Sequence, residues 1–229
     1  MILSWQQIPS TMVSELLCHN FDGVVIDTEH SMFNNETIFS CIQVITNLNK
    51  KCFVRVSEPS LTFVRSLLDS GITGIIFANI ETEEQCKNIN NMCKFPIQGG
   101  KRGLGLTREN FWGKKNLISE PPIIVPQLET ITAVNNIDKI ISFNFDKYLI
   151  GPYDLSMSLG VPGNFNDEKF IDALCKIKSK IPDEKMAVHI PNNIEDNIYN
   201  FKNFSIICLG MDTLYILESS EILSGLKNV

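Results

Sequence analysis

The sequence lacks the features that mark a nucleic-acid-binding or membrane protein. It has 20 Lys and Arg against 26 Asp and Glu, a net charge of -6, and no basic stripe, so a nucleic-acid surface is not expected. No apolar run approaches the roughly 18 residues that a membrane span requires. Residues Met1 to Trp5 lack the basic start and long apolar stretch of a signal peptide, so we expect a cytoplasmic protein.

Short motifs for metal knuckles and nucleotides are also missing. The seven cysteines contain no CxxC pair and sit mostly at apolar positions, which indicates reduced, buried thiols. No GxGxxG follows a predicted strand and no GxxxxGK[ST] occurs. These absences disfavour a doubly wound nucleotide-binding sheet, the main alternative to the fold predicted below.

What the sequence does have is a regular alternation of short apolar runs with helical patterns. The runs are rich in Val, Ile and Leu, as is typical of parallel strands buried on both faces. Eight alternating units in 229 residues predict an α/β protein, a (β/α)8 TIM barrel forming a single domain over residues 1–229. The predicted strands are Met1–Trp5, Gly23–Asp27, Cys52–Val56, Gly74–Phe77, Ile123–Gln127, Tyr148–Ile150, Met186–Ile190 and Ile206–Leu209.

Several helix boundaries follow from local signals. Thr82 with Gln85 predicts a capping box at the start of one helix, and Gly71 can close the helix before it. Asn166 is expected to cap a helix near the end of the barrel. The apolar spacing over residues 134–141 predicts a continuous helix.

The second strand ends in a pair of reactive side chains. In a barrel of this kind the active site lies at the carboxyl ends of the strands. Asp27 and His30 lie there, three residues apart, and a carboxylate that holds an imidazole raises its basicity. The pair is therefore predicted to act as an acid–base dyad, although a capping Asp beside a surface His would give the same pattern.

Arg55 interrupts the apolar run of the third strand. A guanidinium inside a barrel is unfavourable unless an anion pairs with it. The sequence leaves two interpretations equally open, an internal ion pair or a clamp for a substrate carboxylate or enolate oxygen.

The fifth and sixth strands each end in a carboxylate, Glu129 and Asp154. Two carboxylates facing one site suit Mg²⁺ or Mn²⁺, with water and substrate oxygens completing the coordination. Alone, Glu129 also fits the first turn of a helix and Asp154 fits a turn after Gly-Pro. Their position on neighbouring strands favours the metal site.

Several stretches together resemble the HpcH/HpaI aldolase family, the metal-dependent (class II) pyruvate aldolases. The resemblance runs in order over nearly the whole chain. It implies a TIM barrel of the phosphoenolpyruvate/pyruvate type that cleaves 2-keto-3-deoxy or 4-hydroxy-2-oxo acids reversibly to pyruvate and an aldehyde through an enolate. The matching stretches are Phe21–His30, Val54–Val56, Leu68–Gly71, Glu81–Cys86, Arg102–Gly105, Gln127–Thr130 and Gly151–Gly160.

The resemblance also implies roles for individual residues. Glu129 and Asp154 look like ligands of a divalent metal (Mg²⁺, Mn²⁺ or Co²⁺), and Arg55 like the residue that orients pyruvate. His30 with Asp27 looks like the acid–base pair. Gln127 and the segment Gly151, Pro152 and Tyr153 look like substrate-binding residues. A homo-oligomer is expected.

Other functions remain open at this point. Oxaloacetate decarboxylation needs the same enolate, a carboxylate-CoA lyase belongs to the same superfamily, and a barrel without catalysis would serve as a scaffold. A phosphate site near Arg102 ranks low, because such sites usually follow the last two strands. The long irregular segment 94–120, which includes Trp112, is expected to influence the choice of aldehyde, together with the neighbouring subunit.

Overall fold

The computed structural model describes residues 1–115 and 121–225. Eight parallel strands pair in chain order and close into a barrel, which confirms the predicted (β/α)8 fold. Every predicted strand end agrees with the structure within two residues. The strands are β1 (Ile2–Gln6), β2 (Gly23–Asp27), β3 (Lys51–Val56), β4 (Gly74–Phe77), β5 (Ile123–Leu128), β6 (Tyr148–Ile150), β7 (Met186–Ile190) and β8 (Ile206–Met211).

Helices cover the outside of the barrel between the strands. Their apolar faces and the outward-facing strand residues form one buried layer. The helices are α1 (Thr11–Asn20), α2 (Asn35–Asn47), α3 (Leu61–Asp69), α4 (Glu83–Cys93), α5 (Ile131–Asn135), α6 (Ile137–Ile141), α7 (Pro152–Ser158), α8 (Glu168–Lys178), α9 (Ile194–Asn197) and α10 (Asp212–Gly225).

The helix boundary signals give mixed results. The Thr82–Gln85 capping box is present, and Gly71 lies just beyond α3 with a left-handed φ of 78°. The continuous helix over residues 134–141 is wrong, because Asn136 takes a non-helical ψ of 10° and separates α5 from α6. The predicted cap Asn166 is also wrong by one residue, since the Asp167 side chain accepts the hydrogen bond from the Lys169 N–H.

The inside of the barrel follows the two-residue alternation of its strands. The middle of the barrel interior is entirely apolar. Two residues further along five of these strands, the inward positions change to polar residues or glycine. The apolar interior comprises Leu3, Trp5, Val25, Phe53, Ile76, Val125, Leu149, Ala187, Ile206 and Cys208. The following inward positions are Asp27, Arg55, Gln127, Gly151 and His189.

The described part of the chain agrees with the expectation of buried free cysteines. Six of the seven cysteines are buried, Cys175 is exposed, and all are free thiols. No described helix is both long and apolar enough to cross a membrane.

Candidate active site at the carboxyl ends of the strands

A cavity of about 160 Å³ opens where the barrel strands end. Seven of the nine predicted site residues line it. The remaining two, Asp27 and Glu129, each contact a lining residue through their carboxylates. The sequence-based site residues therefore come together at one end of the barrel. The lining residues are Trp5, Gln7, His30, Arg55, Gln127, Gly151, Pro152, Tyr153, Asp154, His189, Pro191 and Met211.

Arg55 forms the buried centre of the site. Its Nε and Nη2 donate to the two oxygens of Asp27 at 2.9 and 2.8 Å, and its Nη1 lies 2.9 Å from a Glu29 oxygen. Burial opposes the charge of Arg55, but Asp27 outweighs it, with smaller contributions from Glu29 and Glu129, and raises the guanidinium pKa. Arg55 is therefore a permanently charged group held in a fixed orientation.

The Asp27–His30 dyad is not formed as a side-chain pair. Both Asp27 oxygens bind Arg55, and only the backbone N–H of His30 approaches Asp27, at 3.4 Å. Burial raises the pKa of the Asp27 carboxyl, but hydrogen bonds and charge from Arg55 more than reverse this, so the net pKa is lowered. Asp27 holds Arg55 because a guanidinium offers two parallel donors, which an imidazole cannot match.

Glu29 is a site residue to which the sequence assigned no role. It pairs with Arg55, and its carboxylate lies 3.9 Å from His30 Nε2. The His30 side chain is 63% exposed, and among the described residues Glu29 is the one acid within ion-pair distance of its imidazole. A carboxylate directly before the histidine, in a strand-end loop, was the available signal.

Glu129 is a buried carboxylate beside other negative charges. Asn79 N–H donates to one of its oxygens at 2.7 Å, and the Gln127 amide donates to the other. Burial, together with the charges of Asp154 and Glu29, raises the pKa of Glu129 to about 7. This carboxylate is thus short of positive charge.

The arrangement around Glu129 fits a divalent cation. Asp154, in the first turn of α7, is close enough to raise the pKa of Glu129. Gln127 Oε1 is buried without a hydrogen-bond partner, and hard cations bind such oxygens. No group of three or more His, Cys, Asp or Glu side chains suited to a metal occurs among residues 1–115 and 121–225. The protein would supply two carboxylates and leave other positions free.

Gly151 gives the two carboxylate-bearing segments room to approach each other. A Cβ on Gly151 would lie 2.7 Å from Glu129 Oε2 and 2.9 Å from Gln127 Nε2, well inside van der Waals contact. Any larger residue would displace the Glu129 and Gln127 side chains. The predicted importance of Gly151 therefore has a steric basis in this site.

His189, at the end of β7, is a further residue that lines the site, and sequence spacing alone does not distinguish a lining histidine from a core one. Its ring stacks on Trp5 with centroids 4.1 Å apart, and its Nε2 lies 3.3 Å from the Gly210 carbonyl oxygen. Burial lowers the pKa of His189 to about 4. The imidazole is therefore neutral near pH 7.

The long segment after α4 lies at the opposite end of the barrel. Glu109 N–H donates to Asp69 O at the end of α3, and Lys101 N–H donates to Asn91 O near the end of α4. These helix ends adjoin the amino ends of the strands, so the described residues 94–115 do not border the cavity. The expectation that they influence the aldehyde is wrong for a single chain, and residues 116–120 lie outside the described part.

Arg102, the centre of the low-ranking phosphate hypothesis, is occupied by protein groups. Its Nη2 pairs with Asp69 at 2.8 Å and also with Glu109. Two carboxylates at the guanidinium leave a negatively charged surrounding that disfavours phosphate. Trp112, in the same segment, is 61% exposed and covers no part of the cavity.

Comparison with known proteins agrees with the fold and the motifs. The model of the family described as HpcH/HpaI aldolase/citrate lyase matches residues 6–217. A 4-hydroxy-2-oxovalerate aldolase from Rhodococcus jostii (strain RHA1) is 27% identical over 214 residues, which cover 90% of this chain and 82% of that protein.

Two further relatives match different shares of the chain. A 2-keto-3-deoxy-L-rhamnonate aldolase from Shigella boydii serotype 4 is 26% identical over 70% of this chain, and the match spans 62% of that protein's length. The crystal structure of an HpcH/HpaI aldolase from Desulfitobacterium hafniense DCB-2 superimposes with a TM-score of 0.87 at 18% identity, covering 100% of this chain and 93% of that one. The structural likeness shows the fold.

Proposed function

Because the chain belongs to the HpcH/HpaI aldolase/citrate lyase family, we propose that it is a carbon–carbon lyase that releases pyruvate. The reaction is the reversible, metal-dependent aldol cleavage of a 4-hydroxy-2-oxo acid to pyruvate and an aldehyde. The observation that carries this proposal is the position of Arg55 and the Glu129 carboxylate. Arg55 lines the cavity and is charged, while Glu129 contacts the lining residue Gln127 and has its pKa raised to about 7.

Glu129 and Asp154 are the proposed ligands of Mg²⁺, Mn²⁺ or Co²⁺. Carboxylate oxygens suit each of these ions, and water and substrate oxygens would complete the coordination. A divalent cation, when bound, supplies Lewis-acid polarisation of the substrate's keto group. Deprotonated Glu129 is the form that binds a cation, so occupancy would remove the excess negative charge around this side chain.

Arg55 is the proposed group that orients pyruvate and stabilises its enolate oxygen. A guanidinium has five N–H donors, and three contact Asp27 and Glu29. Two donors therefore remain for a substrate oxygen. Because Asp27 and Glu29 fix the orientation of Arg55 in advance, little reorganisation accompanies the development of negative charge.

His30 is the proposed proton-transfer residue. During cleavage its imidazole would take the proton of the 4-hydroxyl group, and during synthesis it would return that proton to the oxygen of the aldehyde. Glu29, 3.9 Å from His30 Nε2, replaces Asp27 as the proposed carboxylate partner. Asp27 becomes a positioning residue that acts through Arg55.

The first turn of α7 is the proposed site for the pyruvate carboxylate. Backbone N–H groups in a first helical turn have no partner within the helix, which here leaves those of Tyr153 and Asp154, because Pro152 has no N–H and the Gly151 N–H donates to the Leu128 carbonyl. Gly151, Pro152 and Tyr153 line the cavity at this turn. Gln127 would add a side-chain contact from β5. A carboxylate bound at these positions would lie beside the proposed metal ligands.

A homo-oligomer is also part of the proposal. The described part of α10 exposes four large apolar side chains, between 51% and 71% of each, and subunit contacts commonly cover such surfaces. These residues are Ile216, Leu217, Ile222 and Leu223.

Aldol cleavage with a coupled assay for pyruvate tests the reaction. Purified protein with Mg²⁺ or Mn²⁺ is incubated with 4-hydroxy-2-oxovalerate or 2-keto-3-deoxy-L-rhamnonate, and pyruvate is converted by lactate dehydrogenase with loss of NADH absorbance. We expect pyruvate release that EDTA abolishes. Release of pyruvate that is unaffected by EDTA would contradict the metal-dependent reaction.

A further inference from the structure

His189 occupies a position that the proposed reaction does not use. It is an inward residue of β7, and its ring lies nearly parallel to Trp5, with an interplanar angle of 10°. Trp5 is 1% exposed, so this stacking holds the imidazole against an immobile surface. The ring borders the same cavity as Arg55 and Tyr153.

The hydrogen-bonding role of each His189 nitrogen follows from the Gly210 carbonyl. A carbonyl oxygen can only accept, so the contact at 3.3 Å requires the proton on His189 Nε2. Since burial lowers the pKa of His189 to about 4, the ring is neutral near pH 7 and Nδ1 carries no proton. Nδ1 is therefore a hydrogen-bond acceptor.

An irregularity in β8 accompanies this contact. Leu3 pairs with Cys208, whereas Trp5 pairs with Met211, so β8 contains one extra residue in this interval. Gly210 lies within it at a φ of 60°, a conformation that glycine adopts readily. Bulges of this kind redirect backbone groups near functional sites.

No other group of the described chain uses His189 Nδ1. Nδ1 makes no hydrogen bond within the described chain, and it is not a buried atom. It is therefore accessible from the cavity that the ring lines. A lone pair in this position repels a carboxylate or a keto oxygen and attracts a donor. In a 4-hydroxy-2-oxo acid the donors are hydroxyl groups.

Tyr153 offers a second acceptor that lines the same cavity. Its hydroxyl donates to Asn192 Oδ1, and its ring meets Phe165 edge-on at 5.0 Å, so the side chain is held in place. Because the Tyr153 proton is engaged, its oxygen is left to accept. Two fixed acceptors, His189 Nδ1 and Tyr153 Oη, favour a ligand with hydroxyl groups.

We propose that His189 is a specificity-determining residue whose Nδ1 accepts a hydrogen bond from a hydroxyl group of the aldehyde-derived part of the substrate. The aldehyde preferred for addition of pyruvate is then a hydroxyaldehyde, and the substrate that the enzyme cleaves is a polyhydroxylated 2-oxo acid. This inference rests on the proposed function, since it assigns the second substrate of that reaction.

The test compares glycolaldehyde with acetaldehyde, which differ by one hydroxyl group. With pyruvate and Mg²⁺, kcat/KM for each aldehyde is measured in the wild type, His189→Phe, His189→Asn and His19→Phe. Phe keeps the stacking on Trp5 and removes the acceptor, whereas Asn retains an acceptor oxygen. His19 is exposed at the end of α1 and serves as the matched control.

We expect the wild type and His19→Phe to prefer glycolaldehyde by roughly tenfold. His189→Phe should lose most of this preference, mainly through a higher KM for glycolaldehyde, and His189→Asn should retain part of it. An unchanged preference in folded His189→Phe would overturn the inference, and so would a wild type without any preference. If His189→Phe does not fold, the inference is tested by the wild-type preference for glycolaldehyde and by its partial retention in His189→Asn.

Exchange of the pyruvate methyl protons with D2O separates this inference from the proposed function. Exchange needs no aldehyde. Wild-type protein that exchanges these protons but shows no preference between the aldehydes would overturn the role of His189 alone. Wild-type protein that neither exchanges them nor condenses pyruvate with either aldehyde would overturn the proposed function and this inference together.

Discussion

Two buried arginines, Arg55 and Arg102, lie at opposite ends of the barrel with closely similar immediate surroundings. The Arg55 side chain is 7% exposed and its Cζ lies 4.9 Å from the Trp5 ring. The Arg102 side chain is 1% exposed and its Cζ lies 4.9 Å from the Phe95 ring. Each guanidinium also pairs with two carboxylates. A buried, paired arginine therefore does not identify an active site.

The two arginines differ in the charge and space around them. Beyond the two partners of Arg55 lie Glu129, with a pKa of about 7, and Asp154. Asp154 and a neutral His189 line the cavity, and Glu129 contacts the lining residue Gln127. Arg102 pairs with Asp69 of α3 and with Glu109, and so ties the segment after α4 to α3. This segment exposes apolar side chains such as Leu106. Four carboxylates cluster around one guanidinium beside the cavity at Arg55, which indicates function, whereas the two carboxylates at Arg102 pair with it and hold a loop in place.

Removing Arg102 should cause the largest loss of stability. Arg102→Ala leaves Asp69 and Glu109 without their cation, and breaking a buried pair in this way costs about 3–5 kcal/mol. Urea unfolding measures the loss, with the exposed neighbour Lys101→Ala as a near-neutral control. Pyruvate exchange should persist in folded Arg102→Ala. Its loss there would show that the two ends of the barrel are coupled.

Changing Arg55 should affect chemistry where the same change at Arg102 does not. Arg55→Lys keeps the charge but loses the bidentate contact with Asp27 and the fixed donors. We expect pyruvate exchange to fall by about 10²–10³-fold, as for the loss of an oxyanion donor. Arg102→Lys is the matched control and should retain nearly full exchange. Equal rates in both variants would remove Arg55 from the site.

Stabilisation of the protein by a bound metal should depend on Glu129 and not on Glu109, a largely buried glutamate at the opposite end of the barrel. Mn²⁺ at about 100 times its Kd should stabilise the wild type by about 2.7 kcal/mol, or roughly 5–10 °C in Tm for a chain of this size. Glu129→Gln should abolish the shift, and Glu109→Gln should keep it. A full Mn²⁺ shift in Glu129→Gln would place the cation elsewhere.

His189 predicts a pH dependence of stability. Its pKa is lowered from 6.5 to about 4, so between these values the unfolded chain binds a proton that the folded protein does not. Stability should therefore fall as pH falls from 6.5 to 4, by up to about 1.4 kcal/mol per pH unit. Thermal unfolding should show a shallower slope in His189→Phe, whereas His19→Phe should follow the wild type. Parallel slopes in all three proteins would contradict a buried neutral His189.

The barrel was predictable because its signals are local. Apolar runs such as Gly74–Phe77 are buried on both faces, and side-chain alternation then assigns each residue to the inside or outside of the barrel. The candidate site residues were predicted from the strand ends. Asn136 ended α5 although the apolar spacing continued, because its side chain binds the Glu81 carbonyl at 2.9 Å, a contact between distant segments.

The pairing of side chains within the site was not predictable. Asp27 is near both His30 and Arg55, and only the barrel register, which places Asp27 opposite Arg55, decides between them. The roles of Glu29 and His189 also depend on neighbours from other strands. Spacing along the chain carries no information about such contacts.

The most direct test of the central claim is exchange of the pyruvate methyl protons in D2O, followed by NMR with Mg²⁺ and then with EDTA. It reports enolate formation without any assumption about the aldehyde. We predict exchange with Mg²⁺ that EDTA stops and that Glu129→Gln lacks. If folded wild-type protein exchanges no pyruvate methyl protons in the presence of Mg²⁺ or Co²⁺, this result would contradict a pyruvate aldolase site at the carboxyl end of this barrel.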